Sequence, residues 1–324
     1  MAMEKKLLHS LFLEALYKKV PKKSELANIL ADLLNLDKIS VYRRLRGSVR
    51  FSVDEMGLIA KEHQISLDEL LENFSQKNLK TIKFELPMIS ETNDLNYELQ
   101  EEEYIHYEEA LSREDAEIGG AMGTLNRFFY IPYKQLTRFY LFKWGRYYTH
   151  QEIYKHFETV QIDEKKQQSM TFELSLLKKY KKSFFIWDSQ IIPNLVNDIK
   201  YYESIDAIRK EDILSIKEDL FSLLDQLETM AIEGRYSGTD NKFDLYAASM
   251  HINTSHVYLH AGDLWAYYLN IHLIHAIITY DKAFCMKMKR WIHTLKTSSI
   301  LISQSGEKER LLFFNKQRKA VDTL

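Results

Sequence analysis

The sequence predicts a predominantly α-helical protein: five short helices in an N-terminal helix-turn-helix domain, a helical middle region and a smaller α+β C-terminal region. Three observations carry that prediction. The chain of 324 residues holds only 10 Gly and 4 Pro, so breakers are scarce. Apolar residues recur at helical spacing from Leu7 to Leu71 and again from Ile213 to Leu227. After Asn241 the texture changes to short, alternating, aromatic-rich runs of the kind that form strands.

Length and composition set the outer bounds. A chain of this size is expected to hold two or three domains, and 45% hydrophobic with 28% charged residues is a globular balance. The division expected is a helix-turn-helix domain over 1–75, a linker over 76–95, a mostly helical middle and dimerisation region over 96–240, and an α+β effector or regulatory region over 241–324. A single cysteine, Cys285, excludes a disulfide framework and a thiolate zinc site. The apolar run Leu7–Leu16 is interrupted by His9, Ser10 and Glu14 and lacks a small-residue cleavage site, so it reads as an amphipathic helix rather than a signal peptide. No run approaches the roughly 20 apolar residues that span a bilayer. A cytoplasmic protein without membrane contact is expected.

The N-terminal helices follow from their stripes and caps. Leu7, Leu8, Leu11, Phe12, Ala15 and Leu16 form the first apolar face, and Pro21 ends that helix. Ser24 is the expected N-cap of the second helix, whose stripe is Leu26, Ala27, Ile29, Leu30, Leu33 and Leu34. Asn35-Leu36-Asp37 makes a turn, and Asp37 or Ser40 caps the third helix, with Ile39, Val41 or Tyr42, and Leu45 facing inward. Gly47 stops it. Ser52–Glu55 and Ser66–Glu69 each match the S-x-x-E capping box and open two further helices.

The third helix and its exit carry five cations, Lys38, Arg43, Arg44, Arg46 and Arg50, and the next acid is Asp54. A compact helix pair with one cationic face fits a DNA major groove. The run LADLLNLDKISVYRRLRGSVRFSVDEMGLIAKEHQISLDELL resembles the Cro/C1-repressor (XRE-type) helix-turn-helix domain, and within it the BetR-like variety. The likeness lies in Leu30-Ala31 before the turn, the V-Y-R-R-L-R-G ending and the I-S-L-D-E-L-L tail, over roughly residues 5–74. Ala31 stands where that family needs close helix approach. Asn35 replaces the usual turn glycine, a tolerable exchange because Asn enters the left-handed region readily.

The site residues expected divide by role. Lys38, Ser40, Arg43 and Arg44 are candidates for base edges, where an arginine grips guanine O6 and N7. Arg46, Ser48 and Arg50 suit phosphates, joined by amides at the Ser24 end of helix two. The partner implied is double-stranded DNA, bound by a homodimer at a near-palindromic site. The competing class is a protein-interaction or antitoxin-like module that uses the same helices for partner contacts.

Elsewhere the ordinary readings outweigh the functional ones. Glu85 to Glu117 contains twelve acids and one base, Arg113, and reads as a solvated face, with mimicry of nucleic acid or contact with a basic partner as the alternatives. Thr81–Leu86 alternates briefly, as a short strand does. Arg127–His150 has ten aromatics and five Lys/Arg, which reads as core or dimer packing rather than base stacking. His256 and His260, and His272 and His275, have spacings that would share a metal on a helix, but no Glu or second Cys joins them, and structural or pH-responsive histidines are the expectation. No P-loop, dinucleotide turn or G-x-S-x-G elbow occurs. The chain is therefore expected to be a non-enzymatic regulator, without metal or cofactor, whose C-terminal region oligomerises and senses a small-molecule or protein effector.

Overall fold

Pro21 and the turn at Asn35–Asp37 cut the N-terminal sequence into helices too short to persist alone in water. They persist by sharing one core. The computed structural model describes residues 8–63, 65–74, 81–85, 108, 110–149, 151–162, 164–272 and 275–324. The chain divides into two units, Met1–Ile82 and Lys83–Leu324. The first contains α1 (Leu8–Lys19), α2 (Lys23–Leu34), α3 (Lys38–Leu45), α4 (Val53–Glu62) and α5 (Leu67–Phe74). Phe12, Leu16, Leu26, Ala27, Leu30, Val41, Leu45, Phe51, Ile59, Ala60 and Leu70 meet in its centre. The fully buried small residue on α2 is Ala27, while Ala31 is half-buried.

The second unit overturns the expected fold class. It is built on a seven-stranded mixed sheet ordered β6-β5-β4-β1-β2-β3-β7, not a helical middle followed by a smaller α+β region. The strands are β1 (Glu117–Met122), β2 (Lys182–Trp187), β3 (Lys242–Ala247), β4 (His256–Ala261), β5 (Leu264–His272), β6 (His275–Thr279) and β7 (Ile300–Leu301). β1, β2 and β3 are mutually parallel, and the other pairings are antiparallel. Two of the three parallel strands therefore come from the stretch expected to be helical.

Helices fill the connections: α6 (Arg127–Tyr130), α7 (Lys134–Tyr148) and α8 (Glu164–Leu177) between β1 and β2, then α9 (Ile191–Ser204) and α10 (Lys210–Glu233) between β2 and β3. After β6 come α11 (Lys282–Thr297) and, past β7, α12 (Glu307–Asp322). Strand alternation sorts the side chains into two layers. Ile118, Met122, Phe185, Trp187, Phe243 and Leu245 join the main core with residues of α7, α9, α10 and α12. Ala121, Phe184, Ile186, Tyr258 and Tyr267 meet Cys285 and Ile292 of α11 on the opposite face.

The reason β1 and β2 escape sequence reading is physical. β2, KSFFIW, is buried from Ser183 to Trp187, so its two faces are both apolar and show no alternation. β1, EIGGAM, has low strand propensity. Its Gly119 is there for room: a Cβ at that position would lie 2.5 Å from the Tyr258 ring and 2.6 Å from that of Phe184. The aromatic-basic stretch, by contrast, forms α6 and the largely buried helix α7, with Leu136, Phe139, Tyr140 and Phe142 in the core. Of the expected linker over 76–95, only 81–85 is described, and Glu85 there bridges antiparallel to Ile278 of β6. Most of the acidic stretch, 86–107, lies outside the described residues.

One polar group ties α11 to the sheet. Glu117, at the start of β1, accepts from Lys289 Nζ at 2.5 Å and from the Tyr258 hydroxyl, and His293 Nε2 stands 3.3 Å from it. Burial pushes the Glu117 carboxyl up, but the bonds from Lys289 and Tyr258 outweigh that and hold it below the usual carboxylate range. A depressed folded-state value means the stabilisation is present above the ordinary glutamate range and is lost as pH falls through it. Replacing Glu117 by Gln is expected to lower stability near neutral pH by about 2 kcal/mol, since Lys289 loses its partner. Urea denaturation of both proteins at several pH values checks this, with the gap closing as the solution is acidified.

Candidate nucleic-acid interface

The turn before α3 is set by Asn35, which adopts the left-handed conformation at φ 51°, ψ 48° and closes α2 with Leu36 N–H donating to Ala31 O at 3.0 Å. Asp37 then caps α3. Its Oδ1 accepts from the Ser40 N–H at 2.9 Å and its Oδ2 from the Ser40 hydroxyl at 2.7 Å. Those bonds from Ser40 lower the Asp37 carboxyl, so it stays ionised at the positive end of the helix. Val41 and Leu45 turn inward and are buried. Lys38, Ile39, Arg43 and Arg46 are exposed on the remaining face.

Arg44 behaves differently from its neighbours. Its guanidinium holds Glu55 from two sides, Nη2 to Oε1 at 2.8 Å and Nε to Oε2 at 3.1 Å, and both side chains are 18% exposed. Glu55 is also the third residue of the α4 capping box: its carboxylate accepts from the Ser52 N–H at 2.7 Å while its own N–H donates to Ser52 Oγ at 3.1 Å. Burial raises the Glu55 carboxyl, yet the bonds from Arg44 and Ser52 leave it below the ordinary value. A bidentate pair of this kind fixes an angle between elements as well as adding attraction. It anchors the C-terminal half of α3 to the start of α4.

The exit from α3 is equally tight. Gly47 takes φ 78°, and the N–H groups of Arg46, Gly47 and Ser48 donate to Tyr42, Arg44 and Arg43 carbonyls at 3.0 Å each. Ser48 Oγ adds a 2.8 Å bond to Arg43 O, and Tyr17 of α1 donates to Leu45 O at 3.0 Å. Arg46 rests over the Tyr42 ring at 6.0 Å, and Arg50 is exposed just beyond.

This short, externally braced helix with an outward cationic face is the decisive geometry. Residues 14–91 match the BetR domain. That is a DNA-binding domain of helix-turn-helix type. The match covers less than a third of the chain, and α2, the turn and α3 lie wholly within it. No curated protein and no solved structure matches the chain.

Within the BetR segment, three sequence readings need adjustment. Ser24 is not the α2 cap: the helix begins at Lys23, and the preceding Lys22 makes no side-chain capping bond. First-turn amide groups at that end are thus left without a side-chain cap, beside Lys22, Lys23 and the exposed Ser24. Ile39, expected inside, is 69% exposed. Arg44, grouped by sequence with the base-reading side chains, is engaged with Glu55. The Ser52–Glu55 box was visible in the sequence; that its carboxylate also receives Arg44 depends on how α3 and α4 pack.

The histidine spacings that would suit a shared metal on a helix fall on strands instead. His256 and His260 lie on β4, where positions four apart are about 13 Å distant, and His272 and His275 pair across the β5–β6 ladder. Among the described residues no group of three His, Cys, Asp or Glu side chains is placed to hold a metal. Nor is any described helix long and apolar enough to cross a membrane.

Two substitutions separate bracing from contact. Arg44→Ala is expected to lower the thermal midpoint of the N-terminal unit, costing about 1 kcal/mol, by freeing α3 from α4. Gly47→Ala is expected to cost about 1–2 kcal/mol from the left-handed backbone alone, since no atom lies within 4 Å of the added methyl. Circular-dichroism melts of the full chain check both. Arg43→Ala, on the outer face, should melt with the wild type.

Proposed function

We propose that the protein is a sequence-specific transcriptional regulator whose α3 enters the DNA major groove. The observation that carries this reading is the outer face of α3 within the BetR match: Lys38, Arg43 and Arg46 are exposed while Val41 and Leu45 hold the helix from behind. In this reading Lys38 and Arg43 meet base edges. Ser40 assists through its remaining acceptor capacity, because its hydroxyl proton is directed to Asp37. Arg44 acts as a positioning residue that sets the angle of α3 through Glu55. Arg46, Arg50, Ser48 and the amide end of α2 at Ser24 neutralise or bind phosphates.

The sheet unit completes the regulator by pairing two copies and sensing a small-molecule or protein signal. Two-fold pairing places the two α3 helices about one DNA turn apart, on a near-palindromic site. The kinship with Cro/C1-type domains belongs to the same reading. It assigns the chain no catalytic step and no cofactor.

Selection of bound duplexes from random DNA by the full-length protein tests it. The expected outcome is a defined motif, bound with an affinity that falls steeply with salt. Arg43→Ala should flatten the sequence preference, whereas Arg50→Ala should weaken all duplexes alike and reduce the salt slope by about one. Salt-insensitive, sequence-independent binding together with a stoichiometric protein complex would instead establish a protein-contact module.

A further inference from the structure

We infer that Ile39 reads a thymine: its side chain packs on the 5-methyl group in the major groove, beside the base held by Arg43. The inference rests on the DNA reading of α3 and specifies what that face recognises.

Ile39 is the second residue of α3 and is 69% exposed, although Val41 and Leu45 of the same helix are buried. A single exposed aliphatic residue is unremarkable on most surfaces. This one lies in the middle of a cationic face. Lys38 precedes it, and Arg43 follows four residues later, one helical turn away on the same side. The Asp37 cap, bonded to Ser40, fixes the backbone on either side of it. Solvent exposure of this side chain brings the N-terminal unit no packing, since that core closes without it.

A major groove supplies the apolar partner that water does not. Of the four base-pair faces presented there, only those containing thymine display a methyl group, and an aliphatic side chain is the complement to it. Isoleucine is also stiff at χ1, so little rotamer freedom is lost when it is clamped against a base. One turn of helix rises 5.4 Å, which places the Ile39 contact within about two base steps of the Arg43 contact. The preferred site therefore contains a thymine near a guanine in each half.

The test uses the full-length protein and a duplex obtained by selection from random DNA, with each thymine replaced singly by uracil, which removes the methyl and keeps the pairing. At one position per half-site the wild type is expected to lose about fourfold in affinity, the equivalent of one buried methyl-sized group. Ile39→Ala should bind the thymine and uracil duplexes equally, with the wild-type salt slope and thermal midpoint. If no position distinguishes wild type from Ile39→Ala, or if the variant instead changes oligomeric mass, the inference is overturned while the DNA reading stands. Failure to select any sequence would remove the DNA reading and this assignment together.

Discussion

An eight-residue helix has almost no stability of its own in water, so everything proposed for α3 depends on its being held from behind and at both ends. Three restraints do this. Val41 and Leu45 sink into the core of the N-terminal unit, Asp37 satisfies the first turn, and Arg44 locks the last turn to α4 through Glu55. None of them uses the opposite face. The helix is therefore rigid because of one set of residues and available for contact through another.

The electrostatics of the two units sharpen that distinction. In the sheet unit, several prominent cations are matched to acids: Lys143 with Asp198 at 2.5 Å, Arg318 with Asp225 and Glu228 at 2.7 and 2.6 Å, and Lys289 with Glu117. Such pairs neutralise charge within the fold. On α3 and its exit, one of five cations, Arg44, is matched in this way, while Lys38, Arg43, Arg46 and Arg50 face outward over a stretch without an acid of its own. Surface charge left uncompensated in this pattern is suited to steering and holding a polyanion. A near-neutral net charge of −2 hides it completely.

The N-terminal helices were legible because their stripes, the capping box at Ser52 and the stop at Gly47 are local signals. The cationic face was legible for the same reason. What could not be read is whatever depends on packing between elements. Ile39 fits a helical stripe as well as Val41 does, and only the placement of α3 against α2 decides which is buried. Arg44 looks identical to Arg43 until Glu55 is brought beside it. The sheet suffered most: β2 is apolar on both faces, β1 owes Gly119 to the rings of Tyr258 and Phe184, and its partners β2 and β4 are far away in sequence. The strands β3 and β4 fall within the alternating, aromatic-rich texture that begins after Asn241.

Hydrogen–deuterium exchange of the full-length protein, alone and with a duplex selected from random DNA, tests the central claim most directly. Slowed exchange over α3 and its exit, residues 37–50, with a smaller effect at the first turn of α2, is the predicted result. Protection confined to the sheet unit, or unchanged exchange across α3 in a saturated complex, would contradict it.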